Sequence, residues 1–414
     1  MHLLTTSLLA IGVAQAAVVK RDGPFENWGL HQKKFNVQMD PRPYYLVDNM
    51  DNGPLKSKLQ KCSEGPFKTS DFTVAHRGAC LQFPEHSEEG YRAAARMGAG
   101  VIECDVTFTK DKKLVCRHSQ CDLHTTTDIL GRPELAAKCT KKFTPYDPVT
   151  KKAADAKCCT SDITEAEFKT LCAKMDGFNP NGTTAAEYMD GTPKFRTDLY
   201  ATCAKIMTHD EYIKLVDGWD LKFTPELKTP EVKMPFDGYT QEQYAQDMIN
   251  AYKKAKIHPS RVYPQSFLPD DVFYWIAKEP AFGKQAVYLD ERVDTLEGYA
   301  NATASIPGLA KKGVRILGPA FFALTKLDKN KNIVPSEYAI AAKKAGIELI
   351  PYSFERSGWL NEGGGYYYDH VNEVINNDGD AYTVLDVLAK QVGIKGIFTD
   401  WPATVTYYAN CFGL

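Results

Sequence analysis

Residues 101–108 read VIECDVTF, a run rich in β-branched and aromatic side chains with two acids at its centre. Those residue types mark it as a strand. Side chains alternate along a strand, so Glu103 and Asp105 face one side, roughly 7 Å apart, and Cys104 faces the other. Two carboxylates in an apolar setting are costly unless a positive charge sits between them. A parallel barrel offers such a place, on its interior face near the C-terminal mouth, where strand-end residues converge.

The same pattern recurs along the chain. Candidate strands are 72–75 (FTVA), 221–228 (LKFTPELK), 262–267 (VYPQSF), 285–290 (QAVYLD), 314–320 (VRILGPA), 347–354 (IELIPYSF) and 394–399 (IKGIFT). Helical stretches separate them, among them 88–98, 241–256, 335–346 and 380–393, and Gly313, Gly346 and Gly393 stand where a helix ends ahead of a strand. This alternation gives an α/β class and most simply a (β/α)8 TIM barrel, with a doubly wound open sheet as the alternative.

The rhythm breaks between 119 and 220, where six cysteines occur without a good barrel strand. A structureless loop of that length is unfavourable, so the segment reads as a Cys-rich insertion after the second strand unit, with short helices near 162–175 and 208–217. It forms either a lid or substrate wall, or a surface elaboration without a catalytic role. Residues 17–70 are expected to be an extended N-terminal arm wrapping the main domain, 71–414.

The chain has 414 residues, 43% hydrophobic and 25% charged, an ordinary globular profile that excludes wholesale disorder and a polytopic membrane protein. Its formal charge of -2 gives no electrostatic reason to expect nucleic acid as a partner. Residues 1–16, MHLLTTSLLAIGVAQA, carry a short apolar run, Leu8 to Val13, before Ala14-Gln15-Ala16, the pattern of a cleavable signal peptide. The run is too short to span ~30 Å of hydrocarbon, and no later apolar segment is long enough either, so no stable membrane insertion is expected. The expected location is secreted, in the extracellular or cell-wall space. Lys20-Arg21 resembles a dibasic processing site, and Asn181-Gly182-Thr183 and Asn301-Ala302-Thr303 are glycosylation sequons.

Secretion makes the eleven cysteines candidates for disulfides, and an odd number leaves at least one unpaired within the chain. Adjacent Cys158 and Cys159 suit two separate bridges, and Cys104 is expected to pack under helices.

The chemistry concentrates at strand ends. FTVA runs directly into His76-Arg77-Gly78. The strand at 221–228 places Glu226 and Lys228 on one face, offering a third carboxylate and a point charge suited to phosphate. A hard divalent cation takes oxygen ligands of the kind Glu103, Asp105 and Glu226 supply. His76 and His118, the latter ending the run LVCRH, suit acid–base work near neutral pH.

HRG, then Pro84-Glu85-His86-Ser87, then VIECDVTFTKD, then LVCRH and Thr125-Thr126-Thr127, with a closing GIFTDWP at 396–402, resemble the glycerophosphodiester phosphodiesterase family of periplasmic or secreted type. The resemblance covers some four-fifths of the chain. It implies a (β/α)8 barrel, one divalent cation (Ca2+ or Mg2+), and hydrolysis of small-molecule glycerophosphodiesters to sn-glycerol 3-phosphate and an alcohol. Matched motif by motif, Glu103, Asp105 and Glu226 resemble the metal ligands, and His76 and His118 the catalytic acid–base pair. Arg77 and Lys228 resemble the phosphate contacts, and Glu85 the residue that supports the site.

The chain departs from the family pattern at His86-Ser87, where many members have Asn-Thr, at Ser119, where Asp usually follows the second histidine, and at His124, where Arg usually precedes the Thr pair. Which histidine is acid and which base stays open, as does the nucleophile, water or the substrate's own 2-hydroxyl. Alternative readings are a phospholipase D-like lyase giving a cyclic phosphate from sphingomyelin or lysophospholipids, a catalytically silent secreted binding protein, and a glycosidase using the same carboxylates. Tyr288, Phe354, Trp359 and Trp401 are candidates for a leaving-group pocket, and 363–368 (GGGYYY) for a loop beside it.

Overall fold

The structure, a computed structural model, describes residues 36–200 and 203–414. The signal peptide assigned to 1–16 and the dibasic pair Lys20-Arg21 lie outside them. Eight parallel strands form the core: β1 (Ser70–Ala75), β2 (Ala99–Phe108), β3 (Lys222–Leu227), β4 (Gln265–Ser266), β5 (Val287–Leu289), β6 (Ile316–Gly318), β7 (Glu348–Leu349) and β8 (Ile397–Thr399). Each pairs with its neighbour in sequence, and β8 pairs in parallel with β1. The circle closes where Phe354 bridges Thr399 in parallel and Lys395 N donates to Leu349 O at 2.8 Å. The fold is a (β/α)8 barrel, and each strand overlaps a segment expected from sequence, β1 and β2 each starting two residues earlier.

Alternation sorts the side chains. Val74, Val101, Val287, Leu289, Ile316, Ile350 and Phe398 fill the barrel interior, while Ala75, Ile102, Cys104 and Phe223 join the larger core beneath the helices. Local chemistry starts those helices. Ser87 accepts from Gly90 N ahead of Glu88–Arg96, and Thr240 with Gln243 forms a capping box on Gln241–Lys254. Gly313, Gly346 and Gly393 all have positive φ, as helix-terminating glycines should.

One expectation is corrected. The described part of the arm, 36–70, is not extended, since it forms helices Arg42–Asn49 and Pro54–Lys61. These helices begin with Pro in the first turn, bury Leu46, Val47 and Leu59 against the C-terminal helix Pro402–Phe412, and are tied there by a Cys62–Cys411 disulfide. Tertiary packing supplies what the short segments lack in periodicity. Cys104 packs beneath the helices on the outer face of β2, as expected, and bonds Cys116 of the antiparallel strand Leu114–Cys116 alongside.

The segment 119–207 carries a core of its own, with Leu123, Ile129, Phe168, Tyr188 and Ile206 buried together. Disulfides Cys121–Cys159, Cys139–Cys158 and Cys172–Cys203 close it, the adjacent cysteines going to separate bridges. The following helix, His209–Asp217, packs on β2 and β3 as a barrel helix. Among the described residues no helix is long and apolar enough to cross a membrane.

Candidate active site

Parallel pairing of β2 with β3 sets Asp105 opposite Glu226 and Glu103 opposite Thr224. Alternation turns Glu103, Asp105 and Glu226 inward, and one oxygen from each comes within 4.8 Å of the others. All three residues are buried. Burial, then Asp105 and Glu226, push the Glu103 carboxyl well above its usual range. Burial and Asp105 raise Glu226 to about 8 against the pull of Lys228. Asp105 goes the other way: burial would raise it, but Lys228, His86 and Arg77 hold it well below the carboxylate norm.

The donor set can be tested for a dication on its own geometry. Asp105 Oδ1 is buried without a hydrogen-bond partner, while Glu226 Oε1 is ion-paired with Lys228 Nζ at 2.6 Å. Three buried carboxylates facing one another, one with an unpartnered oxygen, fit a hard cation with oxygen ligands.

Arg77 sits beside this cluster. Its φ of 56° and the 94° of Gly78 turn the chain sharply after β1. A Cβ at Gly78 would stand 2.9 Å from the Gly90 carbonyl carbon, so the turn requires glycine there. The turn points Arg77 N at Glu103 Oε2 (2.9 Å) and leaves Arg77 Nε 3.4 Å from Asp105 Oδ2. Arg77 Nη1 binds both oxygens of Glu85 at 3.0 and 3.1 Å. Burial would raise the Glu85 carboxyl, but Arg77, Arg356 and Arg196 hold it well below normal.

His76 Nδ1 lies 2.6 Å from Asp400 Oδ1, while Nε2 lies 3.4 Å from Ser353 Oγ and 3.9 Å from Glu103 Oε2. Burial, then Arg77, lower its pKa to about 4 despite Asp400. His118 follows the strand Leu114–Cys116. Burial, then Arg77 and Lys228, lower its pKa well below the usual value. Among the described residues its ring has no hydrogen-bond partner. All eight residues singled out from sequence (Glu85 included) therefore gather at the C-terminal mouth.

Several contributors were given no role from sequence. Gln265 Nε2 binds Glu103 Oε1 at 2.9 Å, and His86 Nε2 binds Asp105 Oδ2 at 2.9 Å, which gives the His86 departure a role in holding the acid. Arg356 bridges Asp400 (2.7 Å) and Glu85 (2.9 Å). Asp400 lies in the quoted GIFTDWP stretch, the one local cue that could have found it. The other departures make local contacts: Ser119 N donates to Asp122 Oδ2 while its Oγ accepts from Cys121 N, and His124 Nδ1 accepts from Cys158 N at 3.3 Å.

The suggested aromatic pocket is not assembled as expected. Phe354 is buried in the core, Trp401 binds Asp40 of the arm at 2.7 Å, and Tyr288 lies beneath Arg292, while Trp359 is half-exposed. A separate cavity of about 170 Å³ opens at the opposite mouth, lined by Asp71, Val74, Lys222 and Tyr263 among others, and includes none of the site residues.

Residues 76–404 match the model of the glycerophosphoryl diester phosphodiesterase family. A protein of Arthroderma benhamiae named "Extracellular protein" is 58% identical over 245 residues, all of its own length and 58% of this chain. A glycerophosphodiester phosphodiesterase of Arabidopsis thaliana is 25% identical over 88% of this chain and 93% of its own. A Silicibacter pomeroyi crystal structure carrying the same family's name superposes with a TM-score of 0.55 at 17% identity, covering 86% of this chain and 97% of that one, a likeness of fold. With a barrel of that fold and a family match across most of its length, the chain belongs to the glycerophosphoryl diester phosphodiesterase family and is an enzyme, a phosphoric diester hydrolase.

Proposed function

We propose that this protein is a secreted, metal-dependent hydrolase of glycerophosphodiesters, releasing sn-glycerol 3-phosphate and an alcohol by two-histidine acid–base catalysis. The observation that carries the reading is the convergence of Glu103, Asp105 and Glu226 within 4.8 Å, with Arg77 and Lys228 beside them. A Ca2+ or Mg2+ ion held by those carboxylates would supply positive charge to a phosphate oxygen. Arg77 and Lys228 hold the remaining phosphate oxygens and offset charge as it builds. Asp400, kept ionised by Arg356, accepts from His76 Nδ1–H and so leaves Nε2 as the free acceptor of a proton. A depressed pKa keeps that nitrogen unprotonated at neutral pH. His118 stands as the second imidazole of the acid–base pair, on the side of Arg77 and Lys228. Glu85 fixes the Arg77 guanidinium through paired hydrogen bonds.

Secretion is supported by the apolar run before Ala14-Gln15-Ala16, by five intrachain disulfides, and by the name of the Arthroderma relative. The test is release of phosphomonoester from glycerophosphocholine, glycerophosphoethanolamine and glycerophosphoinositol, with and without chelator. Chelator-sensitive release of sn-glycerol 3-phosphate supports the reading, and a cyclic phosphate with no free phosphomonoester points to the lyase instead.

A further inference from the structure

Glu85 is crowded by guanidinium groups. Arg77 and Arg356 both hydrogen-bond it, at 2.9 to 3.1 Å. Two charge-assisted partners already neutralise this carboxylate. A third guanidinium, Arg196, nonetheless stands beside it, with Nη1 3.6 Å from Glu85 Oε1 and 3.7 Å from Asp176 Oδ2. Neither distance is a hydrogen bond.

The Arg196 side chain is only 4% exposed, and its Nε and Nη1 are buried without any hydrogen-bond partner. Its guanidinium carbon stands 5.9 Å from the centre of the Phe195 ring. A buried arginine without an acceptor for two of its nitrogens is unfavourable. Arg77 Nε, on the other side of Glu85, is likewise buried without a hydrogen bond. The carboxylates nearby cannot meet this need, because Glu85 is taken up by Arg77 and Arg356, and Asp176 is one-third exposed and faces Arg356 as well.

Arg196 comes from the Cys-rich insertion, not from the barrel. It lies in the loop that the Cys172–Cys203 disulfide closes, as does Asp176. The end of that loop is fastened to the barrel mouth by Thr197 N donating to Leu81 O (3.2 Å) and by Tyr200 stacked on Phe83 at 4.8 Å. The insertion is therefore a wall of the site and delivers a cation into it.

We infer that Arg196 is a substrate-binding residue whose free N–H groups take an oxyanion of the bound ligand. The inference rests on the phosphodiesterase reading for its setting. The oxyanion is either a phosphate oxygen of the ester or product, or a carboxylate on the leaving alcohol. Both present the planar or tetrahedral oxygens a guanidinium recognises.

The first measurement is binding of inorganic phosphate by calorimetry to the full-length protein in the presence of Mg2+, comparing wild type with Arg196→Gln and Arg196→Lys. The second is kcat/KM on glycerophosphoserine and glycerophosphoethanolamine, which differ by one carboxylate. If Arg196 meets the phosphate, Arg196→Gln weakens phosphate binding at least ~10-fold and lowers both kcat/KM values together, and Arg196→Lys recovers part of each. If it meets the leaving group, phosphate binding holds and the serine-to-ethanolamine ratio falls at least ~10-fold. Phosphate affinity and that ratio both unchanged in Arg196→Gln overturn the inference, even where wild type hydrolyses every substrate. Weakened phosphate binding in a protein that hydrolyses none of them upholds the inference and overturns the phosphodiesterase reading. An unchanged thermal midpoint in Arg196→Lys separates either result from a folding defect.

Discussion

Asp400 orients His76: its Oδ1 lies 2.6 Å from the imidazole Nδ1, across 324 residues of sequence. The carboxylate comes from the end of β8 and the imidazole from the end of β1, two strands that pair directly in the closed barrel. Arg356 holds the second oxygen of Asp400 at 2.7 Å. One tautomer of His76 is thereby selected, with the proton on Nδ1 and the acceptor on Nε2.

His76→Ala and His118→Ala are each expected to lose at least ~10²-fold in kcat on glycerophosphocholine, the usual range for an acid–base group. Asp400→Asn keeps the shape but no longer favours the working tautomer, so kcat should fall at least ~10-fold with a smaller change in KM. Steady-state release of sn-glycerol 3-phosphate measures all three. Wild-type rates in either histidine variant would remove the acid–base assignment.

Three carboxylates within 4.8 Å repel one another in the absence of a cation. The metal-free protein should therefore melt at a lower temperature than the Ca2+- or Mg2+-loaded one. Glu226→Gln removes one oxygen ligand, so the variant should gain less in melting temperature from added metal than wild type does. Differential scanning calorimetry with and without chelator reads both effects independently of turnover. An equal gain from metal in variant and wild type would contradict a cation held by these three carboxylates.

Five disulfides account for ten of the eleven cysteines and leave Cys80 as a buried thiol. Burial pushes that thiol well above its ordinary pKa, opposed by Arg356. The native protein should resist thiol-specific alkylation, and the denatured, unreduced chain should take up one label, at Cys80. Peptide mapping should also find Cys158 joined to Cys139 and Cys159 to Cys121. More than one label, or exchange between those adjacent cysteines, would refute the pairing.

His209 supplies a pH prediction away from the site. Its ring is buried against Tyr252, with Nε2 3.1 Å from the hydroxyl, and burial lowers its pKa to about 3. The folded state keeps it neutral while the unfolded chain protonates near pH 6.5, so its contribution to stability is present above pH 6.5. It is lost as pH falls toward 3. Between pH 7 and pH 4 this one group should remove about 3 kcal/mol of stability. Denaturant unfolding of wild type and His209→Gln at both pH values checks the sign, because the variant should lose less stability on acidification. An equal loss in both would show that His209 does not titrate this way.

The barrel was legible in the sequence because its information is local. Period-two runs such as VIECDVTF, and glycines that end helices, mark strands and their order without reference to anything distant. The inward pair Glu103 and Asp105 follows from the same alternation, and Glu226 and Lys228 from its repeat on β3. Motifs with a fixed spacing carried the rest of the site.

Tertiary structure alone decided which groups meet. Asp400 reaches His76, and Arg356 reaches Glu85, only because the last strands close against the first. Gln265 reaches Glu103 from β4, and Arg196 reaches the mouth because the insertion folds back over it. The disulfide partners and the helical arm belong to the same category. Alternation along a strand sets which way a side chain points, and a chain reveals that to itself within a few residues. What lies opposite depends on barrel closure and on the packing of loops between elements hundreds of residues apart, a property of the assembled core that no short window of sequence contains.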